Sequence, residues 1–72
     1  MAKVYKKIEL IGISTDSIED AIRGAIERAS KTLKHLAWYE VKEIRGSIED
    51  GKVKEYQVVL LVAFRVEERD SV

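Results

Sequence analysis

The sequence contains no cysteine and no proline, only four glycines, and no excess of either charge. Without cysteine, neither a disulfide nor a thiolate-bound metal can stabilise the fold. Because 13 basic and 13 acidic side chains cancel, nothing attracts the chain as a whole to nucleic acid or to an acidic membrane. Its longest apolar run, residues 58–64, is far below the roughly 20 residues of a membrane span. We expect no nucleic-acid or membrane partner, and the charged N-terminal segment lacks the apolar region of a signal peptide, which predicts a cytoplasmic protein.

A chain of 72 residues has room for one domain, and its core is small. Such a chain buries only about 60% of its unfolded surface when it folds alone. Since no disulfide or thiolate-bound metal compensates, self-association is the first expectation.

The first half of the chain predicts a strand followed by a helix. Apolar and charged residues alternate over 3–12, which is typical of a half-buried strand, and Gly12 is expected to end it. Asp16, with Glu19 three residues later, is the expected N-cap of the helix. Apolar residues at spacings of three and four predict the helix over 18–36. Its C-terminal end is basic, which suits the helix dipole, through Lys31, Lys34 and His35.

The second half predicts two strands, 38–48 and 53–66, joined by Asp50 and Gly51, a pair that favours a type I′ turn. The element order is β-α-β-β, an α+β fold, and the most apolar strand is expected at the centre of a three-stranded antiparallel sheet. The turn predicts these pairs, unless a bulge shifts them by one: Trp38 with Ala63, Ile44 with Gln57, and Arg45 with Tyr56.

The final strand is apolar on both faces. A helix can cover the face with Val58, Leu60 and Val62, but the other face still carries Val59 and Leu61. The predicted helix spans roughly 27 Å, whereas the strand spans roughly 46 Å. The remaining apolar surface predicts a partner, most economically another copy in a closed symmetric assembly.

No catalytic constellation is visible. The sequence has no glycine-rich phosphate loop, no nucleophile elbow and no paired metal-ligand spacing. The one histidine, His35, is expected to cap the helix at the surface rather than act as a general base, because the sequence fixes no second titratable group beside it. Glu40 and Glu43 lie among basic residues and are expected to form cross-strand salt bridges.

Trp38 and Gln57 are the residues that suggest a ligand. Trp38 is either an apolar interface residue or an aromatic platform for a planar ligand. Gln57 either bonds a neighbouring strand or binds a heterocycle edge with alternating C=O and N–H groups. Arg45 and Arg65, toward opposite ends of the hairpin, either bind a phosphate or form solvated ion pairs. Since Trp38 and Gln57 lie roughly 20 Å apart in the predicted register, one small ring contacts both only between subunits.

Several separated segments occur in the order and at the chain length of one family: 4–10, 17–22, 31–36 with Trp38, 40–46, 56–58 and 64–65. On these segments the chain resembles the dodecins, small flavin-binding proteins. The resemblance implies a single dodecin-like flavin-binding domain over 1–72. It implies a β-α-β-β protomer whose antiparallel sheet wraps around its helix, a hollow homododecamer, and flavins bound in pairs between subunits.

The resemblance also implies roles for four residues. Trp38 stacks on the isoalloxazine, Gln57 binds its pyrimidine edge, and Arg45 and Arg65 contact the ligand tail or shape the site. The chain departs from the family pattern at four positions, which are Ile13, Ala37, Leu61 and Ala63. Ala37 stands where many members have an acidic residue.

We interpret the protein as a non-catalytic one that stores and sequesters flavin and protects it from light. FMN is the expected ligand, with riboflavin and FAD as alternatives. Two other functions stay open, a flavin-dependent oxidoreductase and a purely structural oligomeric module. A second phosphorylated ligand at Lys3, Arg28 and Lys34 is a further hypothesis.

Overall fold

The computed structural model describes residues 2–66 and contains four elements: β1 (Tyr5–Ser14), α1 (Ile18–Ser30), β2 (Leu36–Glu49) and β3 (Lys52–Arg65). The predicted β-α-β-β order is confirmed. So is the central position of β3, because the antiparallel sheet has the order β1-β3-β2. The polar sequence of residues 67–72 predicts a frayed tail, and this segment lies outside the described residues. Within residues 2–66, no helix is long and apolar enough to cross a membrane.

β1 continues to Ser14, so the prediction that Gly12 ends the strand is wrong. Gly12 pairs with Val58 inside the sheet and lies against α1. A Cβ atom at this position would overlap the carbonyl oxygen of Ala21 and lie 3.2 Å from the Cβ of Ala25. The glycine is therefore needed for the close approach of helix and strand rather than for a turn.

Gly12→Ala is expected to destabilise the protein by about 2 kcal/mol, because the added methyl group must displace helix backbone. Thermal or denaturant unfolding measures this change. Gly24→Ala is the matched control, since a Cβ there meets no atom within 4 Å. In the helix interior it should leave stability unchanged or raise it by roughly 0.5–1 kcal/mol. Equal stability of the two variants would contradict the role assigned to Gly12.

α1 begins at Ile18, but its N-cap is Ser17 and not Asp16 as predicted. The Oγ of Ser17 accepts a hydrogen bond from the backbone N–H of Asp20 at 2.9 Å. The backbone N–H of Asp16 instead donates to the Oγ of Ser14 at 2.9 Å. Serine at this position satisfies one of the backbone donors that every helix start leaves unpaired.

α1 ends at Ser30, so the predicted continuation to residue 36 is wrong. Lys31 is the C-cap, and Lys34 and His35 lie beyond the last turn rather than in it. His35 has a φ of 64°, a left-handed conformation with which the chain turns into β2. Leu36 packs against the core, as its apolar spacing suggested, but as the first residue of β2.

The core lies between α1 and the sheet. Val58, Leu60 and Val62 of β3 are buried there together with Ala21 of α1, which confirms the face that was assigned to the helix. Partly buried residues from the helix and the flanking strands surround them: Ile8, Leu10, Ile22, Ala25, Ile26 and Leu36.

The hairpin turn is confirmed, because Asp50 and Gly51 have φ values of 53° and 75°. The pairing of Trp38 with Ala63 is confirmed as well. The other two predicted pairs are wrong by one residue, since the structure pairs Ile44 with Val58 and Arg45 with Gln57.

Two bulges on either side of this segment explain the shift. Near the turn, Lys54 of β3 has no partner, and further along the hairpin Lys42 of β2 has none. Each bulge moves the register by one residue and the second reverses the first. The simple hairpin register therefore fails between them, in the segment that carries Arg45 and Gln57. A third shift, at Ala37, moves the register again at the start of β2, where Leu36 pairs with Phe64.

Candidate functional site

The sheet face opposite α1, called the open face below, carries all four predicted site residues. Register and strand alternation assign residues of each strand to it. They are Tyr5, Lys7, Glu9, Ile11 and Ile13 of β1, Trp38, Glu40, Glu43, Arg45 and Ser47 of β2, and Glu55, Gln57, Val59, Leu61, Ala63 and Arg65 of β3.

Trp38 lies at one end of the open face beside Ala63. Its indole Nε1–H donates a hydrogen bond to Oε2 of Glu40 at 2.9 Å. The ring of Tyr5 contacts the indole with a centroid separation of 4.9 Å and an interplanar angle of 47°. The indole is held on two sides, yet Trp38 remains 45% exposed and retains surface for a further contact.

Two ion pairs cross the open face from β1 to β2, above the central strand. Nζ of Lys7 lies 3.2 and 3.3 Å from the two carboxylate oxygens of Glu40, and Nζ of Lys42 lies 3.0 Å from Oε1 of Glu9. The Trp38 N–H, followed by Lys7, lowers the pKa of Glu40 below its ordinary value. The salt bridge expected of Glu40 is confirmed.

Gln57 lies at the other end of the open face in a chain of polar contacts. Its Oε1 accepts from Nε of Arg45 at 2.9 Å, and its Nε2 donates to Oε2 of Glu55 at 2.8 Å. Gln57 thus bonds a neighbouring strand, one of its two expected roles. The amide oxygen keeps a second lone pair and the amide nitrogen a second hydrogen, so a ligand contact is still available.

Glu43 contacts Arg45 within β2, where Nη1 lies 3.6 Å from Oε1. The prediction of a cross-strand salt bridge is wrong for Glu43, because alternation places its basic partner two residues along the same strand. Arg45 is therefore engaged by both Gln57 and Glu43.

Arg65 is exposed at the Trp38 end of the open face, where it pairs with Tyr5. The two arginines therefore differ in their surroundings, because Arg45 lies beside the Gln57 amide and Arg65 lies at the Trp38 end of the open face. The residues suggested for a second phosphorylated ligand are exposed and come from different segments, and they are Lys3, Arg28 and Lys34.

One protomer does not bring Trp38 and Gln57 together. Trp38 pairs with Ala63, six residues from Gln57 along β3, which corresponds to roughly 20 Å. A hollow beside Trp38 has a volume of about 180 Å³, below the roughly 300 Å³ at which small-molecule pockets begin. A larger groove of about 680 Å³ lies between α1 and β1 and is lined by none of the four site residues.

Sequence reasoning missed three residues that contact the predicted ones. Glu40 was interpreted only as a salt-bridge residue, although it lies two residues from Trp38 and therefore on the same face. The same spacing relates Glu55 to Gln57. Tyr5 carried no signal, because its contact with Trp38 depends on the pairing of β1 with β3 and of β3 with β2.

The chain is similar to dodecins in sequence and structure. The dodecin family model matches residues 4–67. The dodecin of Thermus thermophilus is 63% identical over 68 residues, which covers 94% of this chain and 99% of the relative. The crystal structure of the tt0972 protein from Thermus thermophilus has 62% identity and a TM-score of 0.90, covering 94% of this chain and 100% of that chain. The dodecin structure from Streptomyces coelicolor has 46% identity and a TM-score of 0.88, covering 93% and 96%. The chain therefore belongs to the dodecin family, whose members are small flavin-binding proteins.

Proposed function

We propose that the protein binds flavin without catalysing a reaction, stores it and limits its photochemistry. The isoalloxazine stacks on Trp38 of one subunit, and Gln57 of another binds its pyrimidine edge. The observation that carries this proposal is the placement of Trp38 and Gln57 on one open face at a separation that a single ring cannot span. FMN is the proposed ligand.

The polar contacts of Gln57 support recognition of a heterocycle edge. Arg45 and Glu55 bond opposite ends of the amide and so fix which end presents the oxygen and which the nitrogen. Adjacent acceptor and donor groups match a ligand edge on which N–H and C=O alternate, as they do on the flavin pyrimidine ring. An amide held in one orientation also loses less entropy when it binds.

The arginines take different roles in this proposal. Arg45 is bonded to Gln57 and close to Glu43, so it supports the amide. Arg65 is exposed near Trp38, where a guanidinium can bind the phosphate of an FMN tail. This cation favours FMN over riboflavin.

Exposed apolar side chains support the proposed homododecamer. Ile11 and Ile13 are more than half exposed on the open face. On the helix side, Ile44, Ile48 and Val53 are more than half exposed on the hairpin. Surface of this kind on a small domain is typical of an interface with another copy.

Size-exclusion chromatography with simultaneous detection of protein and flavin absorbance tests the proposal. We expect one assembly of about twelve subunits that co-elutes with FMN and quenches its fluorescence. If the assembly remains colourless after FMN is added, the flavin-binding proposal fails and a purely structural role is favoured. Sustained NAD(P)H oxidation by the loaded protein would instead favour the oxidoreductase.

A further inference from the structure

The position of the Trp38 indole is set by a neighbour that the flavin-stacking role does not require. Glu40 lies two residues further along β2 on the same face, and its Oε2 accepts the indole Nε1–H at 2.9 Å. Trp38 is 45% exposed, and an exposed side chain without such a bond samples several rotamers. The hydrogen bond, together with the packing of the Tyr5 ring against the indole, favours one of them.

Glu40 is itself held by a residue of the other edge strand, on the same face of the sheet. Nζ of Lys7 contacts both of its carboxylate oxygens, at 3.2 and 3.3 Å. Lys7 belongs to β1, so the contact crosses the central strand and holds the carboxylate from the other edge strand of the sheet. Together the three residues form a chain, Lys7 to Glu40 to Trp38.

The open face contains a second ion pair that serves as an internal comparison. Glu9 and Lys42 also join β1 to β2, at 3.0 Å, and their hydrogen bond involves no aromatic group. An ion pair can therefore join β1 to β2 and stabilise the sheet without any contact to Trp38. Only the Lys7–Glu40 pair also accepts a hydrogen bond from the indole, and the Lys42–Glu9 pair does not.

We propose that Glu40 is a positioning residue for flavin binding, which orients the Trp38 indole before the ligand arrives. This inference rests on the proposed function, because the indole must be a stacking surface for its orientation to matter. A side chain that is already immobilised spares about 0.5–1.5 kcal/mol of ordering on binding. Loss of Glu40 is accordingly expected to weaken FMN binding by about threefold to tenfold.

Three variants separate positioning from simple sheet stability. Glu40→Leu removes the acceptor and should raise the Kd for FMN by about threefold to tenfold. Glu40→Gln retains an oxygen that accepts from the indole, so it should recover most of the affinity. Lys42→Met breaks the comparison ion pair alone and should leave the Kd within about twofold of wild type. Equal weakening by Glu40→Leu and Lys42→Met would overturn the proposal.

The unliganded protein provides a readout that does not depend on flavin. Trp38 is the only tryptophan, so one indole N–H resonance and the whole tryptophan emission belong to it. In Glu40→Leu we expect this resonance to move upfield and the emission anisotropy to fall, while Lys42→Met leaves both unchanged. An unchanged resonance and anisotropy in Glu40→Leu would overturn the proposal. If wild type binds no FMN, the proposed function fails, and these two measurements still decide whether Glu40 orients the indole.

Discussion

Trp38→Ala is expected to weaken FMN binding by about 10- to 100-fold. Stacking of a planar heterocycle on an aromatic side chain contributes roughly 1–3 kcal/mol by alanine substitution. The variant should also restore FMN fluorescence, because we propose that the stacked indole quenches the excited flavin by donating an electron to it. Fluorescence titration of FMN with wild type and variant measures both effects.

Two further variants show whether the effect belongs to the open face. Trp38→Phe keeps an aromatic surface but not the electron-rich indole, so it should retain part of the affinity and lose most of the quenching. Tyr39→Ala removes a neighbouring ring that is 49% exposed, close to the 45% of Trp38. Tyr39 pairs with Val62 on the helix side, so its loss should leave the titration unchanged. A strong effect of Tyr39→Ala with normal assembly would count against the open face as the binding surface.

Gln57→Leu is expected to weaken FMN binding by about 30-fold. Leucine has a similar shape but offers neither donor nor acceptor, so the pyrimidine edge is left with unpaired polar groups at a cost of about 2 kcal/mol. Arg45 and Glu55 also lose the amide that each contacts. Isothermal titration with FMN measures the loss, and size-exclusion chromatography checks that the assembly is intact.

A chemical change in the ligand distinguishes a direct contact from a general disturbance. Methylation of the ring N3 removes the one N–H on the flavin pyrimidine edge. Wild type should bind the N3-methyl flavin much more weakly than FMN, whereas Gln57→Leu should discriminate little between the two. The cycle of two proteins and two ligands gives the coupling energy. Additive effects, with full discrimination retained by Gln57→Leu, would show that Gln57 does not contact this edge.

Most of the fold was predictable because its signals are local. The alternation in β1, the apolar run in β3, the apolar helix stripe and the Asp50-Gly51 turn each depend on neighbouring residues, and together they give the order β-α-β-β. Two of the errors lie where a distant contact decides. Gly12 resembles a strand end in the sequence, yet it is required by the approach of Ala21. Leu36 continues the helical spacing only because the next strand also needs an apolar residue for the core.

The candidate site was predictable in composition and less so in geometry. Trp38 and Gln57 stand out because an aromatic ring and an amide are unusual on a strand face that is otherwise apolar or charged. Their partners were harder to predict, since Tyr5 reaches Trp38 through two strand pairings and Arg45 reaches Gln57 only after a register shift. A single sequence contains no direct sign of where a bulge falls.

The bulges at Lys42 and Lys54 also affect how this hairpin tolerates insertions and deletions. Between them, Arg45 faces the same side as Gln57; in an uninterrupted hairpin Arg45 would face the helix beside Tyr56. One added or deleted residue in this segment would therefore exchange an arginine for an isoleucine next to the amide, while leaving composition almost unchanged. Changes of an even number of residues near the turn would preserve the arrangement. The exact number of residues in these strands thus decides which side chain lies beside Gln57, and therefore which ligand the hairpin can bind, even when its composition is unchanged.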